Sequence, residues 1–512
     1  MVVIEKPLVD DRQYKLITLP NGLEVLLVQD PQTDKAAAAL DVNVGAYYDP
    51  PKIPGLAHFL EHLLFMGTKK YPSENEYSQY LSDHSGTYNA YTAAERTNFY
   101  FEVGHQYLSG ALDRFAQFFI SPLFSESCTS REMNAVDSEN KKNLQNDVWR
   151  LSQLEKELSN PNHPVHKFST GNLETLGAIP KSQGIDTRQE LLKFYAEYYT
   201  ASLMKLVVIG REDVEQLEQM VSPLFSEVPD PHPELSKKPK FYDHIDPLTP
   251  NNLGKLIKAQ TVMDMKMLEV AFPVPNQQPL WDTQPFHYFV HLLGHESEGS
   301  LFYYLKEKKW ATELGCAITH ISDKTDYLLV NIDLSNEGLD HWQDVLAALF
   351  AYIDMVRSQK IQKWIFDEIK SVSLARFLYR EKGKAFQLSS SLAQTLQRPI
   401  PREQILKYSV ATTFDEEATA EFGTHLNRDN IRVILASQSI QGDKVEKWYG
   451  TRYSVDDVPR LPEFNDVHSL HLPPKNAFIP DNLDLCHADA PCKQSRPRLI
   501  INEQNWKLGH KL

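Results

Sequence analysis

"GLAHFLEHLLFMGT", Gly55–Thr68, places two histidines and a glutamate inside an apolar stretch. Leu56, Leu60, Leu63 and Leu64 recur at helical spacing, so the stretch reads as a helix with one buried face. Pro54 suits its first position, where a missing N–H costs nothing, and Gly67 suits the residue just past its end. On such a helix His58 and His62, at i and i+4, point the same way one turn apart. Two imidazoles so placed can grip one ion, and Glu61 lies beside them, within reach of a water held on that ion.

The order His-x-x-Glu-His is the inverted form of the HExxH zinc motif. A catalytic zinc takes three protein ligands and keeps one position open, so two histidines need a third group. The polar run "SREMNAVDSENKKNLQNDVWRLSQLEKEL", Ser130–Leu158, reads as one long helix and supplies candidates. Glu132 and Glu139 are seven residues apart and share a face, with Asp137 on another. Spacing leaves the choice between Glu132 and Glu139 open.

Moving outward, "AAAALDVNVGAYYD" reads as an extended run before the histidine helix. After it come the strand "TNFYFEV", the amphipathic helix "YLSGALDRFAQFFISPLF" and the buried-strand pattern "ASLMKLVVIG". A Pro-rich charged stretch, Val228–Asn252, suits an exposed linker. Beyond it the same order of elements returns in "MLEVAFPV", "FHYFVHLLGHESEGSLFYYLKE", "DYLLVNIDL", "GLDHWQDVLAALFAYIDMVR" and "NIRVILAS". The chain therefore reads as α+β and built from a duplicated unit. The expected boundaries are a first domain at 1–235, a linker at 236–255, a second domain at 256–471 and an irregular connector at 472–512. In the second unit "HLLGHE" keeps two histidines at i, i+4, His291 and His295, but Gly294 stands where Glu61 stands in the first. That copy lacks a base and reads as degenerate, without a metal of its own.

Composition excludes several classes. Of 512 residues, 42% are hydrophobic and 24% charged, as in ordinary globular proteins. A net charge of −15 with interspersed basic residues disfavours nucleic acid as a partner. No apolar run is long enough to span a bilayer, and the first residues carry neither a secretory nor a transit pattern. Four scattered cysteines, Cys128, Cys316, Cys486 and Cys492, lack metal-finger spacing and suit reduced thiols in the cytoplasm.

"GLAHFLEHLLFMGTKKYPSENEYSQYL", "YNAYTAAERTNFYFEV", "GALDRFAQFF" and "NAVDSENKKNLQNDVWRLSQLEK" together resemble the insulysin branch of the pitrilysin (M16) zinc metallopeptidases, its fungal members most of all. "LMKLVVIGRED", "HLLGHESEGSL" and "EKWYGTRY" extend the likeness along nearly the whole chain. The resemblance implies two homologous M16-type domains, each an antiparallel or mixed sheet covered by helices. It implies one Zn2+ per chain, bound by His58, His62 and, seventy-seven residues after the second histidine, Glu139. In that pattern Glu61 is the general base and Glu132 the supporting acid. "YNAYT" (Tyr88–Thr92) matches the edge strand on which family substrates lie, with Asn89, Ala90, Tyr91 and Thr92 as lining and Phe65 and Trp149 at pocket positions. His291, Gly294, His295, Leu314 and Gly315 match a distant exosite for a substrate's N-terminus. Cys316 departs from the small residue frequent there.

Insulysins have two homologous halves, and the resemblance covers the N-terminal one. The C-terminal half, with the Arg and Tyr it brings to the scissile bond, is expected outside this chain. The implied activity is that of a zinc-dependent endopeptidase acting on short peptides, needing a C-terminal half for full rate. Implied partners are peptide substrates and a C-terminal M16 half or a homodimer partner, with no nucleic acid and no membrane. The expected location is cytoplasmic; the peroxisomal and mitochondrial pools of the family have no signal here. The alternative is a non-catalytic M16 subunit that binds peptides or partners, against which the intact His58-Glu61-His62 triplet weighs.

Overall fold

The computed structural model describes residues 2–480, 482–483, 498–502 and 506–510. The expectations placed on Cys486 and Cys492 fall outside these.

The first sheet comprises β1 (Gln13–Thr18), β2 (Glu24–Gln29), β3 (Lys35–Val42), β4 (Thr87–Thr92), β5 (Thr97–Gly104) and β6 (Met204–Gly210), in the order β1-β2-β6-β3-β5-β4. The β2–β6 pair is parallel and the others antiparallel. Its central strands are almost wholly apolar because both faces are covered. Side chains alternate between two clusters, as strand geometry requires. Val25, Leu27, Leu206 and Val208 join the core beneath helices α1 (Leu56–Leu64), α2 (Glu76–Asp83) and α3 (Leu108–Ile120), while Leu26, Val28, Val207 and Ile209 face the opposite way.

The second sheet comprises β7 (Lys255–Gln260), β8 (Lys266–Pro275), β9 (Ala311–His320), β10 (Thr325–Leu334), β11 (Arg432–Ser437), β12 (Lys444–Val445) and β13 (Arg452–Asp457). Its order is β12-β13-β7-β11-β8-β10-β9, again with one parallel pair, β7–β11, flanked by antiparallel partners. Setting β7, β11, β8, β10 and β9 beside β2, β6, β3, β5 and β4 shows one topology used twice. The helix Phe286–Leu293 lies where α1 lies in the first copy, between the counterparts of β3 and β4.

The copies also exchange cover. The far face of the first sheet packs against a helix from the second half of the chain, Ala385–Leu396, through Leu392, Ala393 and Leu396. Ala37 and Ala39 give that helix a flat bed, and Ser390 donates to the buried Asn98 at 2.8 Å. Reciprocally, α5 (Asp147–Glu157) lays Leu151 and Leu154 against Ile257, Ala259, Ile434 and Ala436 of the second sheet. Arg432, 2% exposed, pairs there with Glu155 at 2.7 Å. The polar run expected as one helix is two: α4 (Glu126–Asn143) ends, and Asn146 caps α5 by accepting from the Val148 N–H. The Pro-rich stretch is largely exposed, yet Tyr242 within it is fully buried against Tyr47, Tyr48 and His163. Residues Lys475–Leu512 form a separate unit in which Arg498–Asn502 pairs antiparallel with Lys507–His510.

A buried ionic cluster ties the two sheets. Glu95, in the β4–β5 turn, accepts from Tyr242 Oη at 2.8 Å, His320 Nε2 at 3.0 Å and Lys240 Nζ at 3.0 Å. Asp326 accepts from His320 Nδ1 at 2.8 Å. Burial opposes both charges, but the pairings win: His320 is pushed up to about 9 and Glu95 down to about 2. A raised histidine stabilises the fold fully below its ordinary 6.5 and loses that contribution as pH climbs through 9. Thermal melting between pH 6 and 10 should therefore fall more steeply for the wild type than for His320→Gln. Equal slopes would show that His320 does not clamp the sheets. At pH 6, His320→Gln should cost about 3–5 kcal/mol, because two carboxylates are left buried with fewer partners.

Candidate metal centre

α1 runs Leu56–Leu64, so Pro54 lies outside it and Gly55 is its N-cap, at φ 91°. The expected role of Pro54 is corrected accordingly. Gly67, two residues beyond the cap Phe65, has φ 87° and turns the chain away. The cap is supplied from six residues upstream: Asp49 accepts from the Gly55 N–H and the Ala57 N–H, each at 2.7 Å. Burial pushes the Asp49 carboxyl up to about 7 despite those two donors. Gly55 is needed for a second reason. A Cβ there would lie 2.3 Å from Gly171 Cα, so only glycine lets the Thr170–Gly171 segment touch the helix. Gly55→Ala combines that clash with a left-handed backbone. It should cost about 3 kcal/mol or more, read as a lowered melting temperature. An unchanged melt would contradict this packing.

That contact orients the first histidine. His58 Nδ1 lies 2.6 Å from Thr170 O; as the carbonyl can only accept, Nδ1 carries the hydrogen and Nε2 presents its lone pair. Glu132 Oε2 lies 3.4 Å from His62 Nδ1 and orients the second ring. Both Nε2 atoms then face Glu139 Oε2, each at 3.6 Å. Two ligands ~2.1 Å from a tetrahedral ion lie about 3.4 Å apart, so these spacings suit one ion. The donor atoms of His58, His62 and Glu139 all fall within 4.8 Å of one another. Two imidazoles and a carboxylate, with an orienting partner on each ring, are the donor types of a three-ligand zinc centre. Asp137 sits elsewhere on α4, accepting from the Leu173 N–H and pairing with Lys141.

The charges complement one another. Burial alone would lower the His62 imidazole, but Glu132 and Glu139 outweigh it and push it up to about 9. Uptake of a cation there would release that proton. The hydrogen bond with His62, chiefly, holds the Glu139 carboxyl low. Glu61 is 7% exposed and burial raises its carboxyl, while Thr92 Oγ1 donates to Oε2 at 2.6 Å.

These groups open onto a cavity of 480 Å³. One wall is β4, with Tyr88, Asn89, Ala90, Tyr91 and Thr92; Phe65 and Trp149 complete it with Ser169 and Thr170. β4 is the sheet's edge and, among the described residues, pairs with β5 alone; Asn89 Oδ1 accepts from the Ala90 N–H at 2.9 Å. Phe65 also packs on Tyr88 and Phe118, at 4.9 and 5.2 Å, and serves the core as well. Trp149, 41% exposed, stands on α5, the helix that covers the second sheet. Sequence reading missed Asp49 and Thr170. Thr170 contributes a backbone carbonyl, which no side-chain pattern reveals, and Asp49 caps a helix that begins too far away for a local capping pattern.

The other predicted residues lie outside this cavity. His291 precedes Gly294, the C-cap of its helix, and His295 accepts from the Ser297 N–H at 3.1 Å. Burial lowers both imidazoles, His291 to about 4. Leu314 and Gly315 lie on β9, the free edge of the second sheet, with the Cys316 Cβ 4.0 Å from where a Gly294 side chain would begin.

A helix-borne His-x-x-Glu-His, a glutamate facing both imidazoles and an open sheet edge beside them have the make-up of a metallopeptidase of the inverted motif. Comparison with known proteins agrees. Residues 24–162 match "Insulinase (Peptidase family M16)", 187–373 the "Peptidase M16 inactive domain" and 377–512 the "Middle or third domain" of the same family. The chain belongs to the M16 peptidase family. It is 45% identical to the A-factor-processing enzyme of Saccharomyces cerevisiae, over 99% of this chain and 49% of that protein. It is 44% identical to human insulin-degrading enzyme, over 93% of this chain and 47% of that protein. The crystal structure of pitrilysin superposes with a TM-score of 0.90 at 33% identity, covering 99% of this chain and 54% of that one. A protease from Helicobacter pylori, 16% identical with a TM-score of 0.64 over 83% of this chain and 99% of that one, shares the fold. The chain spans about half the length of the curated relatives it matches.

Proposed function

We propose that this chain is the catalytic N-terminal half of an insulysin-type zinc endopeptidase, degrading or processing short peptides. The observation that carries the reading is the convergence of His58 Nε2 and His62 Nε2 on Glu139, each at 3.6 Å, with Glu61 alongside. These three residues would hold one zinc, and Glu132 would steady His62.

When bound, zinc polarises a carbonyl and acidifies water. Glu61 is the base: its carboxylate takes a proton from the attacking water and returns it to the departing amine. The Thr92 hydroxyl fixes one Glu61 oxygen, which leaves the other to face the water. The open edge of β4 holds the peptide as an added strand, so main-chain hydrogen bonds give affinity across many sequences. Phe65 and Trp149 set any side-chain preference.

The His291–His295 helix and the Leu314–Gly315 edge would hold a substrate's N-terminus. Boundaries near 235, 255 and 471 would divide catalytic domain, linker, degenerate domain and connector. Among the described residues no helix is long and apolar enough to cross a membrane. The proposed location, the cytoplasm, rests on the sequence reading. A C-terminal M16 half, or a second copy, would close the cavity over the peptide.

The isolated chain should cleave a fluorogenic peptide slowly, and adding a C-terminal M16 half should raise the rate. Turnover by the isolated chain as fast as a full-length relative would contradict the need for a second half. The alternative, a non-catalytic subunit that binds peptides or partners, predicts that no cleavage depends on Glu61.

A further inference from the structure

A second cavity, of 330 Å³, lies away from His58 and Glu61. Its size suits a small organic ligand or a single side chain. Four pieces of chain build it: the end of β9, with Ile318; the start of β10, with Asp326; the turn before the helix Phe286–Leu293, with Gln277 and Trp281; and the loop after the helix Ala385–Leu396, with Arg398 and Tyr408. Gln284 staples the last two together. It is 6% exposed, and its side-chain amide donates to Trp281 O at 2.5 Å and Tyr408 O at 2.6 Å. Its φ is 44°, a left-handed backbone that residues with a Cβ avoid unless their surroundings enforce it.

Two polar groups of this cavity have no partner. Gln277 is 5% exposed; its Nε2 donates to Pro275 O at 2.7 Å, and its Oε1 is buried without a donor. Arg398 lies with its guanidinium 5.0 Å from the Tyr408 ring centre, its Nε buried and unbonded. Among the described residues no carboxylate pairs with it. The other charges lining the cavity, His320 and Asp326, satisfy each other at 2.8 Å. Burial lowers the His287 imidazole to about 4, so it is neutral. The cavity thus offers one uncompensated cation and apolar walls at Trp281, Ile318 and Ile400, while Gln277 Oε1 and Arg398 Nε are sealed from its space.

We propose that this cavity binds a carboxylate carried on an apolar or aromatic body. That is the chemistry of a peptide's C-terminal residue or of a free N-acyl amino acid. The carboxylate pairs with Arg398, whose planar fork suits two-point binding. The body lies against Trp281. Occupation does not involve the metal centre, so the two readings can fail separately.

The test titrates N-acetylphenylalanine and its carboxamide into the Glu61→Gln chain by calorimetry, with and without chelator. The acid should bind at one site at least tenfold more tightly than the amide, with or without chelator. Arg398→Gln should remove the preference. Ile318→Glu, which places an internal carboxylate in the cavity, should block the acid even if Arg398→Gln fails to fold. Equal affinity for acid and amide, or an acid preference that survives either folded variant, overturns the proposal. A 15-residue peptide ending in phenylalanine, with free or amidated C-terminus, identifies the source. Discrimination between its two forms supports a peptide ligand, and binding of the small acid alone supports a free metabolite.

Discussion

Glu61→Gln is expected to lower peptide cleavage by a factor of 10² to 10⁴ while leaving the metal and the fold in place. The amide fills the same space and can still accept from Thr92, whose hydroxyl lies 2.6 Å from the Glu61 carboxyl. It cannot take a proton from water. Glu61 is not among the three converging donors, so metal content should stay the same. The check is a rate on a fluorogenic peptide, made with a C-terminal half present so that the wild-type rate is measurable, alongside metal content on the same samples. If Glu61→Gln cleaves as fast as wild type, Glu61 is not the base.

His62→Ala is expected to have the largest effect on the metal. It removes one of the converging nitrogens and the ring that Glu132 orients. Two donors remain, fewer than a catalytic zinc takes. Stoichiometric zinc after dialysis should be lost, and cleavage with it. The graded control is Glu132→Gln, which touches His62 Nδ1 but none of the three converging donor atoms. It should weaken zinc binding 10- to 100-fold, as losses of orienting partners do. If His62→Ala retains a full equivalent of zinc, the ligand set is wrong.

The helix of the triplet was legible because apolar spacing and the i, i+4 histidines describe one face. Strands β3 and β6 were legible as apolar runs. Two things were not. Glu132 and Glu139, seven apart, look identical to periodicity; only the tilt of α4 against α1 gives Glu132 to His62 Nδ1 and Glu139 to both Nε2 atoms. The exchange of α5 and the Ala385–Leu396 helix between sheets was also hidden. An amphipathic pattern says that a face is buried, not which sheet buries it. Asn146 carried a cap signal that ended the supposed long helix, but the polar residues around it continue the same composition on both sides.

The duplication sharpens the view of the centre. Both copies present two histidines one turn apart beside an edge strand. In the first, Thr170, Glu132 and Glu139 surround the rings; in the second, burial lowers both imidazoles and the base position is Gly294. The same local sequence pattern thus serves two uses, set by the acids that neighbouring elements bring to it.

The central claim is that His58, His62 and Glu139 form one zinc site. It is tested most directly by elemental analysis of the purified chain after exhaustive dialysis, beside Glu139→Gln. The account predicts one equivalent of zinc in the wild type and a small fraction of that in the variant; a wild type without zinc, or a variant with a full equivalent, would contradict it.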